Sequence, residues 1–447
     1  MAEKRHNETV SVPANGNAVS IKTNYKLVLD SYYGNGGFDD GGYLFPHFRE
    51  PAEDFTARQK QAYYINLIKP IVDSVTDPIF TQDVARIYKS SLYDEFVKDC
   101  NNNSLSLTQY MSKAVKMATL LGQSFTVMDT FKPEDIPDTL QAQIDDRKVP
   151  FISLKLPTDV IEFTTNDFGG LTSISFYHRS DPECGLVYRY YDNSVCREYC
   201  IKNSKQETLN EYNHNLGTIP VLLTDPSAGV FPIPPYLSMS QLARATYNQL
   251  SELRDLGRSS SFSLLVIPGQ NPKTMTEVGA KNVLFIHQDS TTLPTYISPD
   301  SKINDTSLME IKFSIEAMIA QGNSSGSVIQ SGSLSVKSGV ALAFEFKGQG
   351  DALNKGADMA EALEVSIANL FGLFATPFEF AVHYEREYMP FTSDEINKKL
   401  TFLETILAMN ISDEVNAAVS LEILDLFRYN SNISKDRFIE LKESVMK

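Results

Sequence analysis

Two long helical patterns bracket an apolar insertion in the second half of this chain, and that bracket limits the folds open to it. After a Pro-rich bend at Pro232, Pro234 and Pro235, the residues Leu242, Thr246, Leu250 and Leu253 fall on one stripe that runs to about Arg258. Pro235 suits a first helical turn, and the pattern fades near Gly257 or the Ser259–Ser261 run. A second helix carries the stripe Leu308, Ile311, Ile315, Met318 and Ile319, with Ser307 and Glu310 as a capping box and Gly322 as its stop. Between the two, the stretch from about Phe262 to Lys302 holds the runs SLLVIPG, NVLFIHQ and PTYISP, which read as a small αβ module. Helices on either side of such a module can lie side by side in opposite directions, which turns the module into a projecting tip.

The next segment, NSSGSVIQSGSLSVK (Asn323 to Lys337), is Ser- and Gly-rich with Lys337 as its one charge. Fixing such a loop costs backbone entropy with little apolar burial in return, so it reads as a loop outside any core. A further helical pattern starts at Ser338-Gly339 and continues past Gly348, Gly350 and Gly356 towards Phe374. Three capped helical patterns follow near Thr392, Ser412 and Ser434. The first has a Thr392/Glu395 capping box and the apolar face Ile396, Leu400, Leu403, Leu407.

The first half reads differently. Up to about Phe55 the chain is rich in Gly, Asn, Asp and Tyr without a sustained period, and is expected to be an arm or a set of loops, its first residues a loose tail. Tyr64, Leu67, Ile68, Ile71, Val72 and Val75 then recur at helical spacing, with Pro70 expected to kink the helix. Leu107, Tyr110, Met111, Ala114, Met117, Ala118 and Leu121 form the core side of another helix, ended by Gly122. From Ser124 to about Leu223 the runs FISLKL, DVIEFTT, LTSISFYH, LVYRYY and VCREYC predict an antiparallel β-rich unit, with Tyr191-Asp192-Asn193-Ser194 as a hairpin turn. Its alternating Tyr and Arg suit a solvated sheet face better than a binding face. The fold class is α+β, and 447 residues exceed one core, so two to four domains or sub-domains are expected.

Composition narrows the function. A formal charge of -16 opposes tight binding of nucleic acid or anionic membrane, because each neutralised phosphate needs a cation. It is compatible with a polyanion in transit, and equally with plain solubility. MAEKRHNETV has no apolar stretch after it, and Ala368 to Val382 is broken by Pro377 and Glu379, so neither a secretory signal nor a membrane span is predicted. Four cysteines give no disulfide framework, which favours reduced thiols. Cys196 and Cys200, with Cys184 and His178 upstream, sit in strand-like sequence where a zinc site would want turns, so no metal is expected.

Chemistry finds little footing. Gly322-Asn323-Ser324-Ser325-Gly326 fits G-x-S-x-G, yet the element before it reads as an amphipathic helix where the nucleophile elbow requires a buried strand. There is no G-x-x-x-x-G-K-[ST], and Gly348-Gln349-Gly350 is a fragment of a dinucleotide fingerprint without a strand before it. The six histidines are scattered singly. No catalytic residue, metal or cofactor is expected.

The order of LGTIPVLL, PPYLSMSQLARATYNQLSELRD, an inserted module, a helix, a Ser/Gly loop and VKSGVALAFEF resembles the central run of the portal proteins of tailed bacteriophages. ARQKQAYYINLIKPIVDSV is similar to an early helix of that family, and the likeness extends over roughly Thr56 to Lys447. The resemblance implies an α+β portal-like fold after the arm at 1–55: an α/β wing at 56–234, stem helices at 235–258 and 303–321, and a clip at 259–302 between them. A tunnel loop at 322–337, a wing helix and return at 338–391 and a short helical crown at 392–447 complete it. It also implies a ring at the capsid vertex, usually a homododecamer assembled in the host cytoplasm, for packaging and ejecting double-stranded DNA. The implied partners are the terminase large subunit, the head-tail adaptor and the major capsid protein. In the tunnel loop it points to Asn323, Ser324, Ser325, Val328, Ile329, Gln330, Ser333 and Lys337 as DNA-facing residues. Arg244, Arg254, Arg258 and Lys312 then belong to the stem, the arginines facing phosphate or pairing between subunits. Val283, Phe285 and Tyr296 become clip contacts, as strand partners between subunits or in ordinary internal sheet packing. Another virion ring component, such as an adaptor or baseplate subunit, or a serine hydrolase using Ser324, are the competing readings.

Overall fold

A computed structural model describes residues 9–11, 17–131, 136–137, 139–202, 205–260, 264–268, 283–286, 295–297, 301–324, 339–386, 393–409, 416, 419–421 and 423. The chain divides into two compact units, Met1–Arg386 and Glu387–Lys447.

Strand β1 (Thr9–Ser11) leads into helix α1 (Asn17–Tyr33). The helix replaces the expected arm. Tyr25, Val28 and Tyr32 recur at steps of three and four, are all buried, and sit in the main helical core. Gly34, at φ 68°, ends α1 by donating its N–H to the Asp30 carbonyl at 2.8 Å, which a left-handed glycine does without steric cost. Next come α2 (Ala52–Gln59) and α3 (Ile68–Ser74). Of the expected kinked helix only α3 is helical, with Tyr64 and Leu67 ahead of it: Pro70 lies in its first turn, where the missing N–H has no intrahelical partner to lose.

Strand β2 (Ala85–Tyr88), α4 (Ser91–Lys98) and α5 (Leu107–Leu121) follow. All seven residues assigned to the core side of α5 are buried. Its ends are fixed by a Ser106/Gln109 capping box and by Gly122 at φ 84°.

The β-rich unit holds β3 (Phe125–Asp129), the short helix α6 (Leu140–Asp145), β4 (Phe151–Lys155), β5 (Val160–Thr165), β6 (Leu171–Asp181), β7 (Gly185–Tyr191), β8 (Val195–Lys202), β9 (Lys205–Asn213) and β10 (Val221–Leu223). These strands make a six-stranded antiparallel sheet, ordered β1-β5-β6-β7-β8-β9, and a three-stranded one, β10-β3-β4. The β7–β8 turn is set by Asp192, whose Oδ1 accepts from the N–H groups of Ser194 and Val195 at 2.8 and 2.7 Å. Phe125, Val127 and Val221 of the small sheet meet Val160, Ile174, Phe176 and Tyr191 of the large one in a shared core. Each such side chain contributes roughly 1.5–3 kcal/mol by leaving water.

The remaining elements are α7 (Leu237–Ser260), β11 (Leu264–Pro268), β12 (Val283–Ile286), β13 (Thr295–Ile297), α8 (Ser301–Ser324), α9 (Gly339–Phe374), β14 (Phe380–His383) and α10 (Ser393–Met409). Strand β14 pairs with β2. Helix α9 carries Glu364, fully buried, and its carboxylate takes both the Arg86 guanidinium of β2 and the Tyr384 hydroxyl, the latter at 2.5 Å. In the second unit, Leu403 of α10 packs with Leu400, Ile406, Leu407, Val419 and Ile423. The patterns expected at Ser412 and Ser434 lie largely outside the described residues.

Candidate functional site

Helices α7 and α8, of 24 residues each and therefore about 36 Å long, form an antiparallel hairpin. Gln321 donates to the Ser238 hydroxyl at 3.3 Å, and Gln249 to the Glu310 carboxylate at 3.5 Å. Eleven residues forward on α7 (Ser238 to Gln249) thus match eleven back on α8 (Gln321 to Glu310), so one register holds along the pair. Met239 and Ala243 of α7 and Met318 of α8 join α1, α3 and α5 in the main core and anchor the base. The buried face of α7 is Met239, Ala243, Tyr247 and Leu250, with Leu242 and Leu253 only partly covered, so the stripe is turned from the expected one. Polar Ser240, Thr246 and Ser251 are also buried on this helix and disguise its period.

Two sequence signals in α8 mean something else. The Ser307/Glu310 match is internal, because the helix already starts at Ser301 with no breaker between. Gly322 does not stop it either. A Cβ there would stand 2.8 Å from Ile71 Cδ1, so the glycine allows α8 to close onto α3 while the helix continues to Ser324.

At the far end of the hairpin, β11 is the middle strand of a three-stranded sheet, parallel to β12 and antiparallel to β13. Val283 and Phe285 are paired with Leu265 and Ile267, and Tyr296 with Leu265. These three residues therefore sit in ladders within their own chain. Their pairing with β11 corresponds to internal sheet packing.

Of the basic residues assigned to the hairpin, Arg244 and Arg254 lie against aromatic rings, their guanidinium carbons 5.6 Å from the Phe45 centroid and 5.5 Å from the Tyr63 centroid. Each such contact is worth about 0.5–1 kcal/mol. Lys312 is exposed, and the side chain of Arg258 is outside the described residues. The rings come from the segment between α1 and α3: Phe45 lies in the stretch expected to be an arm, and Tyr63 in the stretch likened to an early wing helix. Arg58, almost fully buried, fastens this segment: it grips both Glu50 oxygens at 2.8 Å and donates to Phe45 O and Ser251 Oγ at 2.7 Å. The Arg58 hydrogen bonds hold the Glu50 carboxyl below its usual range.

Of the loop residues, Asn323 and Ser324 are the last two of α8, while Ser325, Val328, Ile329, Gln330, Ser333 and Lys337 lie outside the described residues. Ser324 closes a helix, so the strand-turn-helix that exposes a hydrolase nucleophile is not its context.

Elsewhere, one polar cluster stands out, on the large sheet. Arg189 of β7 donates to Asp129 Oδ2 at 2.6 Å and pairs with Glu198 of β8, while Tyr212 of β9 donates to Asp129 Oδ1 at 2.6 Å. His178 of β6 stands 3.5 Å from Glu198 and is pushed down to about 4 by burial and by the Arg189 charge, which keeps it neutral at physiological pH. No carboxylate neighbours it in sequence, so this pairing was invisible there. Cys196 is buried and its thiol pushed up to about 12 by desolvation, the opposite of a reactive or metal-binding thiol. Among the described residues, no group of three or more His, Cys, Asp or Glu side chains could hold a metal, and no helix is long and apolar enough to cross a membrane.

No family model matches this sequence, and no curated protein matches it. Among solved structures, the chain is similar to one described as the virion of a native gene transfer agent particle, at 8% identity, with 93% of this chain and 96% of that one covered and a TM-score of 0.44. It is also similar to one from the neck of an empty gene transfer agent particle computed with C6 symmetry, at 9% identity, 91% and 92% coverage and a TM-score of 0.42. Scores and identities this low leave function to be argued from the chain's own geometry.

Proposed function

We propose that this chain is a portal-type subunit: a ring-forming virion protein that surrounds a channel for double-stranded DNA at the capsid vertex and performs no covalent chemistry. The observation that carries the reading is the antiparallel α7–α8 hairpin, held in one register, with a three-stranded sheet at its end. Such an arm gives a ring a wall and a rim made by consecutive parts of each copy. The Ser/Gly-rich sequence between α8 and the 36-residue helix α9 follows the anchored base of the arm, and its composition offers little apolar surface to bury in a core. A charge of -16 suits such transit, since a wall that neutralised many phosphates would release counterions and grip the DNA. The rim would dock the terminase large subunit and later the head-tail adaptor, while the β-rich body would meet the major capsid protein.

Electron microscopy of the purified chain tests this. Rings with an axial hole wide enough for a duplex are expected, and a monodisperse monomer would overturn the reading. Within rings, replacing Lys337 and deleting Gly326 to Gly332 is expected to impair packaging or DNA retention; unchanged packaging would remove the loop from the channel.

A further inference from the structure

The hairpin shows two unpartnered surfaces on different sides. On α8, Met309 and Phe313 are 71% and 73% exposed, one helical turn apart, and turned away from the core-facing Ile311 and Met318. Monomeric proteins seldom present large apolar side chains in such a row. On the side of α7 away from α8, the segment held by Arg58 presents Phe45, Phe48 and Tyr63, which are 61%, 81% and 46% exposed. Arg244, Arg49 and Arg254 lie over these rings, one on each.

The charges are complementary. None of these three arginines has a carboxylate partner among the described residues, and neither do their counterparts on α8, Asp305 and Glu316, have a cation. The acids near the ledge are already engaged: Glu50 pairs with Arg58, Glu252 and Asp255 lie in the Arg58 field, and Glu53 and Asp54 occupy the first turn of α2, where the helix dipole favours them.

We infer that the Phe45–Phe48–Tyr63 ledge receives the Met309–Phe313 face of α8 from a second copy of this chain, a head-to-tail contact that closes a ring. The inference rests on the ring reading and gives the segment between α1 and α3 a role. A contact between two different faces of identical chains propagates, and closes when the rotation allows. Where the ring axis runs along the hairpin, neighbours meet at equal height. The register pairs Gln249 with Glu310, so five residues up α7 and five down α8 place Arg254 level with Asp305. Five residues the other way bring Arg244 within one residue of Glu316. Aromatic rings then pack at the centre and ion pairs sit at either end, the usual layout of a specific interface.

The test uses the full chain, with assembly read by mass photometry and sedimentation velocity, and folding by circular dichroism. Phe313→Asp and Phe48→Asp, both on exposed side chains, are expected to leave the circular-dichroism spectrum unchanged and to weaken the association constant of each contact at least about tenfold, near 1.4 kcal/mol. Arg254→Asp and Asp305→Arg are each expected to weaken assembly, and their combination to restore it. Rings that persist in the Phe48→Asp/Phe313→Asp double variant, or no recovery on the charge swap, overturn this interface and leave the ring reading standing. A wild-type chain that stays monomeric overturns both. Loss of binding to anionic phosphatidylserine vesicles by Phe48→Asp, in a chain that does not self-associate, would put a lipid surface on the ledge and overturn the inference.

Discussion

The β-rich unit and the α7–α8 hairpin treat charge in opposite ways. Around the large sheet, cations meet anions: Arg189 lies between Glu198 of the next strand and Asp129 of the small sheet, and Arg197 pairs with Glu211 at 2.6 Å. On the hairpin, Arg244 and Arg254 cover aromatic rings, and Asp305 and Glu316 carry no ion pair among the described residues. Side chains on one sheet face are 4.5–5.5 Å apart across strands, so a sheet can satisfy its own polar groups; an isolated helix pair offers its outer faces nothing. A body completed within one chain and an arm left open differ in what mutation should reveal.

The largest effect is expected inside the body. Glu364→Ala strands the Arg86 guanidinium in a buried site and should cost about 3–5 kcal/mol, read as a large loss in urea midpoint. Gly322→Val should cost about 1–3 kcal/mol, because its side chain must displace Ile71 where α8 meets α3. A smaller, pH-dependent term belongs to His178. Its folded value, about 4, lies below the usual 6.5, so on acidification the unfolded chain takes the proton first and stability falls as pH drops from about 6.5 towards 4. With solvent screening at this partly exposed site the loss is about 1 kcal/mol, and His178→Phe should flatten the melting-temperature profile over that window. Least affected is the arm: Arg254→Ala should cost the unassembled chain no more than about 1 kcal/mol, the worth of its contact with Tyr63. A destabilisation comparable to that of Glu364→Ala would erase the contrast between body and arm.

Much of this architecture follows from local period. Helix α5 shows all seven of its core residues at helical spacing and its closing Gly122, and the β7–β8 turn is written in Asp192. Helix α1 also has a legible stripe in Tyr25, Val28 and Tyr32, but Asn-rich sequence before it and the Gly-rich loop after it masked the period. Pro70 and Gly322 misled for a shared reason: both are helix breakers in isolation, and their meaning depends on position in the turn or on what packs against them. Contacts such as Arg86 with Glu364, 278 residues apart, and Arg254 with Tyr63 leave no local trace at all. That is why the hairpin could be read from the sequence while the ledge beside it could not.

The single register of the hairpin also makes it a ruler. Seven residues removed from each helix at matched heights would preserve every pairing below the cut and draw the terminal sheet in by about 10.5 Å. The same removal from one helix alone would set Gln249 and Glu310 two turns out of step. Reach along the arm is thus adjustable without touching the core at its base, provided both helices change together, and length variation in such chains should come in matched pairs.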